Sequence, residues 1–185
     1  DLFVRALPRG GEGVLVGPGD DAAVLRPPRG EDLVATVDAV VEGVHFGPGF
    51  APADVGWKAL AVNLSDLAAM GARPLHALVA LGLPRGTPRR AVLGIARGLG
   101  ACARAHGVAV VGGNVTRARD LSLTVAVAGA ARRPLTRAGA RPAHPGEFTL
   151  RAYVHGRLDI LDHFAKQDVC VAPVAQGIRV TIPCR

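Results

Sequence analysis

Residues 52–83 read PADVGWKALAVNLSDLAAMGARPLHALVALGL. In the first half of this stretch, apolar residues recur at intervals of three and four, which is the period of an amphipathic helix. Gly71 interrupts the pattern, and the apolar run from Leu75 to Leu83 that follows is typical of a strand. The stretch therefore predicts a helix over 52–70 and a strand directly after it.

The flanking segments continue this alternation of strands and helices. Apolar runs bounded by glycine and proline predict short strands, and a second helical pattern follows the turn after Leu83. The sequence predicts two short strands around a Gly-Pro-Gly turn in 13–25, strands at 32–38, 108–111 and 121–130, a helix at 89–105 and a turn at 112–114. This order indicates an α+β fold, with a sheet covered on one side by helices.

The composition favours one packed domain. The chain has 185 residues, of which 49% are hydrophobic and 20% charged, so it can bury a core and is not of the disordered type. Its net charge of +7 and pI near 10.6 are compatible with a nucleic-acid partner. The arginines are scattered, however, and single-strand binding usually adds stacking aromatics, which are scarce at 4% of the chain. We therefore predict no nucleic-acid partner.

The cysteines and the hydropathy pattern indicate the compartment. Three cysteines, an odd number, form no C-x-x-C pair, which fits a reducing environment. Charged residues, proline or glycine interrupt every apolar run before it reaches the length of a membrane span. The sequence predicts a cytoplasmic protein with no membrane partner.

Several acidic or amide residues stand among glycines and apolar residues. They are Asp20, Asp38, Asp66 and Asn114, and strand periodicity puts Thr36 on the same face as Asp38. Carboxylates buried in such surroundings must be paired or bind cations. Oxygen ligands suit Mg²⁺, which commonly bridges to substrate phosphates, so the pattern favours nucleotide chemistry if these residues converge.

Simpler interpretations remain open for each residue. Asp66 could stabilise a local turn, and Asp20 could hold the Gly-Pro-Gly turn beside it. The pair Gly112-Gly113 could let backbone N–H groups approach a phosphate or could serve only a tight turn. His45 precedes a glycine-rich loop, where it could contact a substrate or simply be solvated.

Four segments taken together resemble the thiamine-monophosphate kinases, a family related to aminoimidazole ribonucleotide synthetase and selenophosphate synthetase. The resemblance covers roughly residues 10–141. The matching segments are GPGDDAAVL at 17–25, TVDAVVEGVHF at 36–46, GWKALAVNLSDLAAMGARP at 56–74 and VGGNVTR at 111–117.

The resemblance implies an ATP-dependent phosphorylation of thiamine monophosphate to thiamine diphosphate with several Mg²⁺ ions. By position, the family's metal ligands correspond to Asp20, Thr36, Asp38, Asp66 and Asn114. His45 corresponds to a substrate contact, and Gly113, Asn114 and Arg137 correspond to nucleotide contacts. The family's N-terminal domain dimerises through its sheet, so a homodimer is expected.

Two departures qualify this expectation. The family usually has an aspartate where Asn114 stands, and the amide keeps an oxygen ligand but loses a charge. Residues 1–142 match the ATP- and Mg²⁺-binding N-terminal domain, whereas 143–185 form an atypical tail where the family continues into a second domain. The sequence therefore predicts impaired activity, and the alternative is a non-catalytic nucleotide-binding or dimerisation module, a truncated pseudoenzyme of the same superfamily.

Overall fold

A computed structural model describes residues 2–136, 170–174 and 177–181. Its helices are α1 (Leu2–Arg5), α2 (Pro52–Ala69) and α3 (Arg89–Ala105). Its strands are β1 (Val14–Val16), β2 (Val24–Leu25), β3 (Asp32–Val41), β4 (Arg73–Leu83), β5 (Ala109–Arg117), β6 (Ser122–Ala131), β7 (Cys170–Val174) and β8 (Gly177–Thr181). None of the helices in this described part combines the length and the apolar character needed to cross a bilayer.

The central sheet has the strand order β3-β6-β4-β5. β4 and β5 run parallel because α3 connects them, whereas β6 is antiparallel to both of its neighbours. β1 and β2 form a small separate hairpin, and so do β7 and β8.

Helices α2 and α3 pack on one face of this sheet. The side chains of β6 alternate, and those that face the helices are fully buried, such as Leu123 and Val125. On the opposite face apolar side chains remain in solvent, since Val37 is 61% exposed and Leu78 46% exposed. The predicted α+β class, with a sheet covered on one side, is confirmed.

Cys102 belongs to the core. It lies in α3, is completely buried, and burial raises the pKa of its thiol to about 12. A thiol held neutral in this way packs as a small apolar side chain.

The predicted turn at 112–114 is wrong, because these residues lie inside β5. The ladder between β4 and β5 pairs Ala77 with Val110 and Leu78 with Gly112, so Val111 is an extra residue in a β-bulge. Pairing with β4 outweighs the local turn preference of the two glycines. α1 was not predicted, and β3 extends three residues beyond the predicted strand at 32–38.

Candidate functional site

Thr36, Asp38 and Asp66 form a cluster at the β3 edge of the sheet, called here the acidic cluster. Thr36 and Asp38 are two residues apart on β3 and share the face that carries the helices, as the sequence predicts. The hydroxyl of Thr36 donates to the Asp66 Oδ2 on α2 at 2.8 Å. This bond joins residues 30 positions apart, so the alternative that Asp66 only stabilises a local turn is wrong.

The electrostatics of the acidic cluster favour a cation. Partial burial raises the pKa of the Asp38 carboxyl above its usual value, the Asp66 carboxylate raises it further, and His45 acts in the opposite direction. Two like charges held side by side are stabilised by a proton or by a metal ion between them.

The His45 loop lies beside the acidic cluster and holds its imidazole in one orientation. The backbone N–H of Val41 donates to His45 Nδ1 at 3.1 Å. Because Nδ1 accepts this bond, the ring proton resides on Nε2, which is therefore a hydrogen-bond donor.

Sequence reasoning missed Lys58, a residue of α2 that contacts this loop. The ammonium group of Lys58 donates to the His45 carbonyl at 2.8 Å and lies 5.8 Å from the centre of the Phe50 ring. Lys58 thus connects α2 to the loop. The sequence feature that could have drawn attention to Lys58 is its rarity, because the chain has only two lysines beside its many arginines.

Asp20, Gly113 and Asn114 lie elsewhere, around a cavity of about 480 Å³ at the β5 edge of the sheet. Two arginines, Arg5 and Arg9, line the same cavity. The Asp20 carboxylate accepts a bond from the neighbouring Asp21 N–H at 2.9 Å, a contact that does not reach back to the Gly-Pro-Gly turn at 17–19.

Gly113 permits the close approach of β5 to β4. Its φ of +140° lies where side chains are strained, and a Cβ at this position would collide with the Val79 carbonyl oxygen. A glycine is therefore required by the sheet itself, whether or not a phosphate also approaches.

The two groups of residues are separated by the width of the sheet. The strand register aligns Asp38, Val125, Val79 and Gly113 in one row. Three inter-strand spacings amount to roughly 14 Å. One ion therefore cannot be bound by Asp38 and Asn114 of the same chain, and the expected convergence of all the predicted ligands is only partial.

The acidic cluster is nevertheless chemically suited to Mg²⁺. Within residues 2–136, 170–174 and 177–181, no three His, Cys, Asp or Glu side chains converge closely enough to hold a metal alone. Mg²⁺ typically uses one or two carboxylates and completes its shell with water and substrate phosphates. Asp38, Asp66 and the Thr36 hydroxyl fit that pattern, whereas Asp20 lies apart from them at the cavity of the β5 edge.

The expected burial of the carboxylates is wrong, since Asp20, Asp38 and Asp66 are exposed despite their apolar neighbours in sequence. Leu64 and Leu67 beside Asp66 are buried, but Val37 beside Asp38 and Val24 near Asp20 are exposed, so apolar neighbours in the sequence do not by themselves indicate a buried carboxylate. Arg137, a predicted nucleotide contact, lies outside the described residues.

Comparison with known proteins defines the class to which this fold and site belong. Residues 19–131 match the family model of the AIR synthase related protein, N-terminal domain. The match spans more than half of the chain and includes both the acidic cluster and the β5 edge. The chain therefore belongs to the AIR synthase related proteins.

Within that family the chain is similar to thiamine-monophosphate kinases. It is 43% identical to the enzyme of Synechococcus elongatus over 112 residues, and this alignment covers 60% of this chain and 34% of the relative. The structure of the Stenotrophomonas maltophilia enzyme matches with a TM-score of 0.63 and 39% identity, covering 78% of this chain and 48% of that one. The structure of AaThiL complexed with AMPPCP and TMP matches with a TM-score of 0.60 and 31% identity, covering 73% of this chain and 45% of that one. The chain thus spans less than half the length of these proteins.

Proposed function

We propose that this chain takes part in the ATP-dependent phosphorylation of thiamine monophosphate to thiamine diphosphate. The observation that carries the proposal is the acidic cluster, in which Thr36 connects to Asp66 beside Asp38 in a chain similar to thiamine-monophosphate kinases. A related protein of 31% identity was crystallised with AMPPCP and TMP.

In this proposal Asp38, Asp66 and the Thr36 hydroxyl would hold Mg²⁺, which would supply positive charge beside the transferred phosphoryl group. A phosphate oxygen of thiamine monophosphate forms a bond to the γ-phosphorus of ATP, the bond from that phosphorus to the β,γ-bridging oxygen breaks, and ADP leaves. Thr36, Asp38 and Asp66 hold their positions through contacts between β3 and α2.

His45 is proposed to contact the substrate. Its Nε2–H is a neutral donor suited to a phosphate oxygen or to a ring nitrogen of thiamine. Lys58 fixes the loop through the His45 carbonyl, so the donor keeps one orientation. Gly113, Asn114 and Arg137 are proposed nucleotide contacts, and Asp20 and Asn114 are proposed metal ligands separate from the acidic cluster.

We also propose that the protein is a homodimer that joins two sheets through their open faces. Val37, Ala126 and Leu78 occupy one row across this face, and the two larger side chains are about half exposed. Apolar surface of this kind is typical of an interface.

A second candidate is a nucleotide-binding or dimerisation module without catalysis. The neutral Asn114 favours it, because an amide offers an oxygen ligand without a negative charge. Incubating the 185-residue chain with ATP, Mg²⁺ and thiamine monophosphate, and following thiamine diphosphate by chromatography, separates the two functions. Product formation supports the kinase, whereas retained ATP binding without product supports the module.

A further inference from the structure

The N-terminal segment, residues 3–11, is fixed against the β5 edge of the sheet. The Val110 N–H donates to the Pro8 carbonyl at 2.7 Å, so the segment continues the hydrogen bonding beyond the edge strand. The Arg104 guanidinium donates to the Ala6 carbonyl at 3.2 Å, and Leu7 is buried. These contacts fix the backbone between and around two arginines that the proposed function does not use.

Those arginines are Arg5 and Arg9. Both are exposed, and both line the cavity that also contains Asp20 and the Gly113-Asn114 pair. Neither forms an ion pair within the described part of the chain, where the ion-paired arginines are Arg73 and Arg119. Their charges therefore remain available to a ligand in the cavity.

The charges in this cavity complement a nucleotide with its metal ion. Asp20 and Asp21 offer oxygens to a cation, whereas the two guanidinium groups offer forked donors that match phosphate oxygens. Gly112 and Gly113 also line the cavity. A neutral or apolar ligand would leave all four charges without partners.

We propose that Arg5 and Arg9 bind the phosphate chain of the nucleotide, with the N-terminal segment acting as the element that positions them. The proposal rests on the proposed function to the extent that it needs the nucleotide at the β5 edge. It predicts that substitution of these arginines weakens nucleotide binding more when the nucleotide carries more phosphates.

The test measures Mg²⁺-dependent binding of ATP, ADP and AMP to the full chain by titration calorimetry. We expect the double variant R5Q/R9Q to bind ATP about tenfold more weakly or worse, since each lost bond joins charged groups. Binding of AMP should change less than about twofold, because AMP lacks the distal phosphates. The variant R5K/R9K should recover part of the ATP affinity, because it keeps the charge without the forked geometry.

The matched control is R89Q/R90Q, which removes two exposed charges from the start of α3, away from the cavity. It should bind ATP like the unmodified chain, and melting curves should show that all variants fold. The inference is overturned if R5Q/R9Q binds ATP as tightly as the control does. It is also overturned if the double substitution weakens the binding of ATP and the binding of AMP by the same factor. An unmodified chain that binds no ATP overturns the nucleotide role itself and this inference with it, whereas ATP binding without product contradicts only the catalytic proposal.

Discussion

At the scale of single residues, Asp66 connects two elements that are distant in sequence. It accepts a hydrogen bond from Thr36 on β3 and raises the pKa of Asp38 through charge repulsion. Both effects arise because α2 presents one carboxylate to the edge of the sheet. Loss of that charge should remove the cation site and leave most of the packing intact.

We predict that Asp66→Asn weakens Mg²⁺-dependent nucleotide binding, because a single remaining carboxylate holds Mg²⁺ weakly at the acidic cluster while the separate proposed ligands Asp20 and Asn114 remain. Titration calorimetry of ATP with and without Mg²⁺ measures the effect. Asp54→Asn is the matched control, since Asp54 is an exposed aspartate in the first turn of the same helix. Equal heats for Asp66→Asn and the control would contradict the metal role.

The raised pKa of Asp38 makes a prediction about stability. A carboxyl whose pKa is higher in the folded than in the unfolded chain favours folding most at low pH, and that contribution is lost as pH rises above the unfolded value of 3.8. Asp38→Asn should therefore stabilise the metal-free protein at neutral pH by about 0.2–1 kcal/mol, the usual size of an exposed charge interaction.

Urea unfolding without Mg²⁺ at several pH values measures this difference. The advantage of Asp38→Asn should shrink as the pH falls towards 4, and added Mg²⁺ should stabilise the unmodified chain but not the variant. A variant that is less stable than the unmodified chain at neutral pH without metal would show that Asp38 serves packing and not cation binding.

At the scale of elements, α2 and α3 cross with their backbones in close contact. A Cβ on Gly56 would collide with the Ile95 carbonyl, and a Cβ on Gly98 would collide with the Ala53 carbonyl. The two glycines therefore determine how near the helices can approach. Because α2 carries Asp66 and Lys58, this crossing also sets the position of the candidate site relative to β3.

We predict that Gly98→Ala destabilises the fold by about 2 kcal/mol or more, although alanine is the better helix former by about 1 kcal/mol. The helices must separate to admit the methyl group. Thermal unfolding compares this variant with Arg97→Ala, an exposed change one residue earlier that should lie within about 0.5 kcal/mol of the unmodified chain. A more stable Gly98→Ala variant would contradict the close crossing.

The elements also illustrate what sequence reasoning can and cannot predict. Helical periodicity placed α3 at 89–105 and α2 within one residue of its end, because amphipathic patterns report directly on local structure. Period-two counting correctly put Thr36 and Asp38 on one face. The strand order is set by long-range pairing, so the sequence did not predict that Asn114 and Asp38 lie at opposite edges of the sheet. The glycines at 112–113 were misassigned for the same reason.

At the scale of the whole molecule, the open face of the sheet carries apolar side chains that remain exposed within the part of the chain that the structure describes. We predict that the protein is a dimer in solution and that Val37→Asp makes it monomeric, because a charge in the centre of an apolar interface is costly to desolvate. Analytical ultracentrifugation measures the mass. Val44→Asp is the control, since Val44 is 75% exposed in a loop and outside this face. A monomeric unmodified chain, or a dimeric Val37→Asp variant, would contradict the proposed interface.

The proposed role of the acidic cluster is to support phosphoryl transfer from ATP to thiamine monophosphate. The most direct test follows thiamine diphosphate formed by the 185-residue chain with ATP and Mg²⁺, in parallel with Asp66→Asn. We expect Mg²⁺-dependent product from the unmodified chain and none from the variant. Absence of product from a folded chain that binds ATP, or equal product from both chains, would contradict it.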